Sequence, residues 1–316
     1  MAAKRKRAFY PKTFLVLLKD TFFAWQDDKV WRLGAALAYF TIFSLAPLLI
    51  IVITIASVLF GEQAVRGQIF NQISSLIGDL GARAIQTMLE NAYESRSNVA
   101  AAVFGIAVLI LGSTAVVVQL RDALNTIWYL AEKPINTLKG FVKARIIAFT
   151  LILSIGFLLL VSLVVSTLLT ALSSYLGNIV SNLTPFLKVI DFLISFAFIT
   201  VLFALIFKIL PNARIRWKDI WVGAAFISFM FTIGKMAIGF YLGSSHVATT
   251  FGAASSLVIV LLWVFYSAQI FLFGAEFTKI FADRFGASIV PDENALRLRV
   301  ETVAVEENEG DRVAES

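Results

Sequence analysis

The chain has 316 residues, of which 59% are hydrophobic and 15% charged, against roughly 45–50% and 25% in ordinary soluble chains; so few charges cannot cover a water-facing surface, and most of the chain must meet hydrocarbon. It contains no Cys and one His, His246, which removes disulfides, thiolate nucleophiles, Cys-based zinc or iron–sulfur centres and clusters of His ligands. The net charge of +6 is uneven, with a balance of +5 over residues 1–33 and −5 from Glu276 to the end.

The basic amino end reads as membrane orientation rather than nucleic-acid binding, and it lacks the short apolar core of a secretory signal. Phe14, Leu17, Leu18, Phe22 and Trp25 recur at helical spacing among Lys12, Lys19, Asp20 and Asp27, the pattern of an interfacial helix on the inner leaflet. Gly34 to Gly61 is free of charge for 28 residues, enough to cross a hydrocarbon core that needs about 20 helical residues. The 37 residues Glu62 to Asn98 form an amphipathic external segment, with Ile69, Ile73, Leu76, Ile77 and Leu80 on one face and Gly78 and Gly81 placed to bend it. It can act as a lid over the bundle or lie on the outer leaflet. Val99 to Leu120 gives a second span. Ile146 to Leu187 is charge-free for 42 residues, too long for one helix, and SSYLGNIVSNLTP (173–185) supplies the turn between two. Spans are expected at about 34–60, 99–120, 146–170, 186–210, 220–243 and 257–278. The polar, acidic stretch 281–316 is expected to be disordered.

Charge supports the count. With six spans, 22 Lys/Arg fall on the side of both termini and 4 on the other, and the basic side is the cytoplasm. The expected architecture is an all-α, six-span membrane protein, N-in and C-in. Its domains are a basic amino-terminal region (1–33), a membrane domain (34–280) and an acidic tail (281–316).

A charge inside a span costs roughly 2.5–3.5 kcal/mol on insertion scales. Lys235 stands about 12 Å below the outer end of span five and Asp191 about 7 Å into span four from the same side, so the two are expected to approach one another. They form either an ion pair that sets helix register or a charged site facing a hydrated cavity. Glu276, near the inner end of span six, is expected to pair with Lys279 or a neighbouring helix, or to serve as an inner gate. Tyr39, Ser44, Tyr266 and Gln269 add polar atoms for helix–helix hydrogen bonds or a site. Pro47 removes a backbone donor and should kink span one. Gly239 and Gly243 make a GxxxG pattern that allows close packing or a homo-oligomer. His246, alone in its loop, reads as a surface residue. There is no GxxxxGK[ST] nucleotide loop and no GxSxG elbow.

Three segments resemble the YihY/BrkB membrane protein family: AALAYFTIFSLAPLLI (35–50), ILPNARIRWKDIWVGA (209–224) and FGAASSLVIVLLWVFYSAQIFLFGAEFTK (251–279). The likeness extends over about residues 10–285. Phe251 stands where members often have Tyr, so any role of that hydroxyl is absent. The resemblance implies a six-span bacterial inner-membrane protein. Members have been labelled ribonuclease BN, virulence or serum-resistance factors, and transporters of envelope lipids or lipopolysaccharide precursors. Cytoplasmic loops of 25 and 12 residues leave no room for a metal-dependent nuclease domain. The expected function is a transporter or flippase of a lipid-like or amphiphilic envelope molecule, with membrane lipids as partners, no nucleic acid and no cofactor. The alternatives are a non-catalytic scaffold for envelope biogenesis and an intramembrane enzyme.

Overall fold

A computed structural model describes residues 11–94, 115–133, 184–244 and 255–299. Seven helical stretches are present among them: α1 (Pro11–Asp27), α2 (Val30–Phe60), α3 (Glu62–Glu94), α4 over residues 115–127, α5 (Thr184–Ile209), α6 (Trp217–Ser244) and α7 (Ser255–Arg284). Short strands β1 (Leu130–Glu132), β2 (Ala213–Arg214), β3 (Val290–Pro291) and β4 (Ala295–Arg297) complete the described chain. The molecule is mostly helical, but it is not purely α. Stretches of α5 (Phe192–Ile209), α6 (Trp217–Tyr241) and α7 (Leu257–Arg284) are long and apolar enough to cross a membrane. Spans two and three of the sequence reading fall largely outside the described residues.

The first apolar run begins at Gly34, yet its helix starts at Val30. Lys29 has a left-handed φ of 50°, which ends α1, and the Arg32 N–H donates to the Lys29 carbonyl at 3.0 Å. A two-residue turn, Asp28–Lys29, therefore joins α1 to α2. Gly61, with φ of 79°, separates α2 from α3 in the conformation that glycine adopts without a Cβ penalty.

The long α7 packs against α1, α2, α3 and α6, and α5 packs on α6. Phe226 of α6 stacks on Phe277 of α7 with ring centroids 4.0 Å apart. Close approach at this crossing depends on glycine. A Cβ on Gly274 would overlap the side chain of Ile227, and one on Gly223 would overlap Thr278, as small-residue packing of membrane helices requires.

The amphipathic segment α3 lies on the bundle. Its Ile69, Ile73, Ala84, Ile85 and Leu89 pack with Ile42 and Ile53 of α2 and with Val260 and Val264 of α7. Helix α1 has two apolar faces. Leu17 is fully buried with Phe226 and Phe277, while Leu15, Val16, Phe22 and Phe23 are exposed.

Residues 281–299 correct the expectation of a disordered tail. Helix α7 runs on to Arg284, β3 pairs antiparallel with β2, and β4 pairs antiparallel with β1. Ile289 and Ala295 are buried, and the Asp219 carboxylate accepts the Ala287 N–H at 3.1 Å. The segment is too short to form a core of its own and instead borrows partners from two distant loops.

The crossing yields a test. Gly274→Ala should lower the stability of the purified protein in detergent by about 1–3 kcal/mol, the usual cost of overpacking, read as a lower Tm. Gly239→Ala, whose Cβ meets nothing within 4 Å, should leave Tm unchanged.

Candidate functional site

Four polar side chains meet where the α1–α2 turn, the end of α4 and α7 converge. Trp128, buried at the end of α4, donates from its indole N–H to the Ala275 carbonyl at 3.1 Å and sets its ring against Phe207. That anchor fixes the next residue, Tyr129, whose φ is 54°. The Tyr129 hydroxyl donates to Asp28 Oδ1 at 2.7 Å. Lys279 Nζ donates to Asp28 Oδ2 and to Glu276 Oε2, both at 3.2 Å, and lies 4.0 Å from the centre of the Tyr129 ring. Such a cation is bound by opposite charge and by the ring face together. The Glu276 side chain is 0% exposed, and its Oε1 has no hydrogen-bond donor among the described residues.

Burial alone would raise the Asp28 carboxyl. The hydrogen bond from Tyr129 and the charge and hydrogen bond of Lys279 outweigh it, so the group titrates below the ordinary carboxylate range. Burial, the hydrogen bond to Asp28 and its negative charge push the Tyr129 phenol above its ordinary value. A depressed acid stabilises the fold above its unfolded value, about 4, and that contribution disappears as pH falls through the folded value. A raised phenol stabilises the fold below about 10, and its contribution is lost as pH rises toward the folded value.

The sequence-derived candidates are placed differently. Glu276 belongs to the cluster and pairs with Lys279, as expected of it. Gln269 lies two turns away on the same face of α7; its Nε2 donates to the Trp31 carbonyl at 3.3 Å, and Gly34 leaves room for the amide. Its buried Oε1 has no partner among the described residues. Tyr39 is 57% exposed and, among the described residues, sets its ring against those of its helix neighbours Phe40 and Phe43, away from the cluster. Lys235 is half-buried and has no ion pair among the described residues. The side chains of Asp191 and Pro47 lie outside the described residues, so the Asp191–Lys235 approach does too. The backbone of α2 stays helical through Pro47. Asp28 and Tyr129 were missed, because their roles arise from contacts between residues 101 and 251 positions apart. The available signal was an acid in the break between two apolar helices.

A second feature is a cavity of about 290 Å³ between α2 and α3. Ile53, Ile69, Phe70, Ile73, Ala82, Ile85 and Leu89 form its apolar wall, and Arg66, Asn71, Gln86 and Glu90 its polar part. A straight helix would set Arg66 and Glu90 about 36 Å apart. Because both line one small cavity, α3 bends between them, over the stretch that contains Gly78 and Gly81. Among the described residues no group of three or more His, Cys, Asp or Glu could hold a metal ion.

Tyr129→Phe tests the cluster, since it removes the hydroxyl and keeps the ring under Lys279. Loss of one hydrogen bond to a charged group should cost about 1.5–3 kcal/mol, measured by thermal unfolding at neutral pH. The stabilising contributions of Asp28 and Tyr129 should both be complete between about pH 4 and pH 10, and the variant should lose the alkaline decline contributed by this phenol.

Residues 21–299 match the family described as Virulence factor BrkB. A UPF0761 membrane protein of Mannheimia succiniciproducens is 28% identical over 277 residues, covering 86% of this chain and 91% of the relative. A UPF0761 membrane protein of Aggregatibacter aphrophilus is 26% identical over 281 residues, covering 86% of this chain and 93% of the relative. One from Verminephrobacter eiseniae is 26% identical over 274 residues, and there the chain spans only 61% of a longer protein. No solved structure matches the chain. With a family match over most of its length, relatives that are membrane proteins and three apolar helices of spanning length among the described residues, this chain belongs to the BrkB family of membrane proteins.

Proposed function

We propose that this is a six-span protein of the bacterial inner membrane, with both termini in the cytoplasm, that moves or flips a lipid-like or other amphiphilic envelope molecule without covalent chemistry or a cofactor. The observation that carries this reading is the cavity beneath α3. It is at the small end of ligand pockets, suited to one acyl segment rather than a whole lipid, and it combines an apolar wall with Arg66 and Glu90. An apolar tail with a charged head finds both kinds of partner there. Helix α3 supplies most of the lining, so its movement on α2 and α7 opens or closes the site.

The topology rests on two supports. One is the 22-to-4 division of Lys and Arg between the two sides. The other is that the segments assigned to the cytoplasm gather at one end. Residues 28, 129, 212 and 292–294, each in a different one of those segments, take part in one contiguous set of hydrogen bonds and strand pairs with their neighbours. Lys235, a half-buried cation within α6, adds a charge that attracts an anionic headgroup.

The test is translocation of a fluorescent anionic lipid in proteoliposomes. Wild type should move it. Ala82→Phe, which fills the cavity from a residue that is 1% exposed, should abolish movement, and Lys235→Ala should weaken it, while the exposed control Lys218→Ala should not. No movement across a panel of anionic and zwitterionic lipids would overturn the transport reading and favour a scaffold. Unchanged movement in a folded Ala82→Phe protein would overturn the role of the cavity.

A further inference from the structure

The cluster of Asp28, Tyr129, Glu276 and Lys279 is not part of the cavity and has its own stoichiometry. Its two carboxyls present four oxygens. Asp28 Oδ1 accepts from Tyr129, Asp28 Oδ2 and Glu276 Oε2 accept from Lys279, and Glu276 Oε1 accepts from nothing among the described residues. Two carboxylates and one ammonium also leave an excess negative charge where the Glu276 side chain is 0% exposed. One added proton corrects both counts. It neutralises the cluster and turns the orphaned oxygen into a donor.

We infer that the Asp28–Glu276 pair is a proton-binding site, with the proton carried on Glu276 and donated to Asp28, and that this proton holds the α1–α2 turn against α7. Two carboxyls in contact share one proton because both cannot ionise side by side at low cost. Asp28 still has lone pairs for the added bond, since each carboxylate oxygen accepts more than one hydrogen. The charged and titratable groups facing Glu276 among the described residues are Asp28 from the α1–α2 turn, Tyr129 after α4 and Lys279 on α7. On the neighbouring elements, Asp20 of α1 is engaged by Arg284 and Asp219 of α6 by the Ala287 N–H. When the proton leaves, Glu276 faces Asp28 as a second anion, and Lys279 already bonds both. The turn is then pushed from α7. This site stands whether or not an amphiphile is moved by the cavity.

Infrared difference spectroscopy of the full chain in lipid nanodiscs tests the assignment. At neutral pH the wild type should show a protonated-carboxyl band that Glu276→Gln removes and Asp20→Asn leaves in place. Asp28→Asn should also abolish the band, because Glu276 then ionises against Lys279 with an amide donor beside it. Absence of a band sensitive to Glu276→Gln, or a band that survives Asp28→Asn, overturns the shared proton. Trypsin cleavage after the exposed Lys29 reads the mechanical consequence. Cleavage should accelerate as pH rises in the wild type and stay flat in Glu276→Gln, whose amide donates to Asp28 without a titratable proton. Equal pH dependence in both proteins overturns the link between proton and turn. Should Glu276→Gln not fold, Asp28→Asn supplies the spectroscopic decision alone.

Discussion

Helices in hydrocarbon gain little from excluding water, so their association has to come from close contact and from polar links that lipid cannot replace. Helix α7 meets that requirement on several sides at once. Toward α6, glycines at 223 and 274 let Thr278 and Ile227 fill the space a Cβ would occupy, and Phe277 stacks on Phe226. Toward α3 it offers Val260 and Val264. Toward α1 and α2 it offers Lys279, paired also with Glu276, to the carboxylate of Asp28. A single helix therefore carries tight apolar packing on one face and a buried ionic cluster on another, and the positions of α1, α2, α3 and α6 follow from it.

The two polar sites differ in kind. The cluster around Lys279 is nearly saturated with hydrogen bonds and mostly shielded from water, which suits a group that binds something as small as a proton. The cavity under α3 is the reverse, mostly apolar, with Gln86 and Glu90 bonded to one another at 2.9 Å along its exposed part. They stand at opposite ends of α2, near residues 28 and 53. Helix α2 links them, since it begins directly after the Asp28–Lys29 turn and lines the cavity with Ile53.

Much of the helical plan was legible in the sequence, because charge-free runs of membrane length leave few alternatives. Glu276 was legible as a charge needing a partner, and Lys279 lay one turn away. What could not be read was whatever depends on contacts across the fold. Asp28 and Tyr129 are ordinary residues until the α1–α2 turn and the end of α4 are brought together. The strands at 213–214 and 290–291 have two residues each, too few for any alternation to register. Tyr39 looked like an interior polar group, yet helical phase turns it outward beside Phe43, and phase depends on which face α7 occupies. The polar composition of 286–299 suggested disorder because composition measures the ability to form a core, whereas this segment is held by backbone pairing to other loops.

Those small strand pairs have a mechanical consequence. The β1–β4 ladder ties the chain just after α4 to the chain beyond α7, and the β2–β3 ladder ties the α5–α6 link to the same stretch. Asn212, beside β2, also reaches Glu132 of β1 at 2.7 Å. At that end α4, the α5–α6 link and α7 are stapled into a collar, so a tilt of those helices has its pivot there and its largest excursion at the far rim.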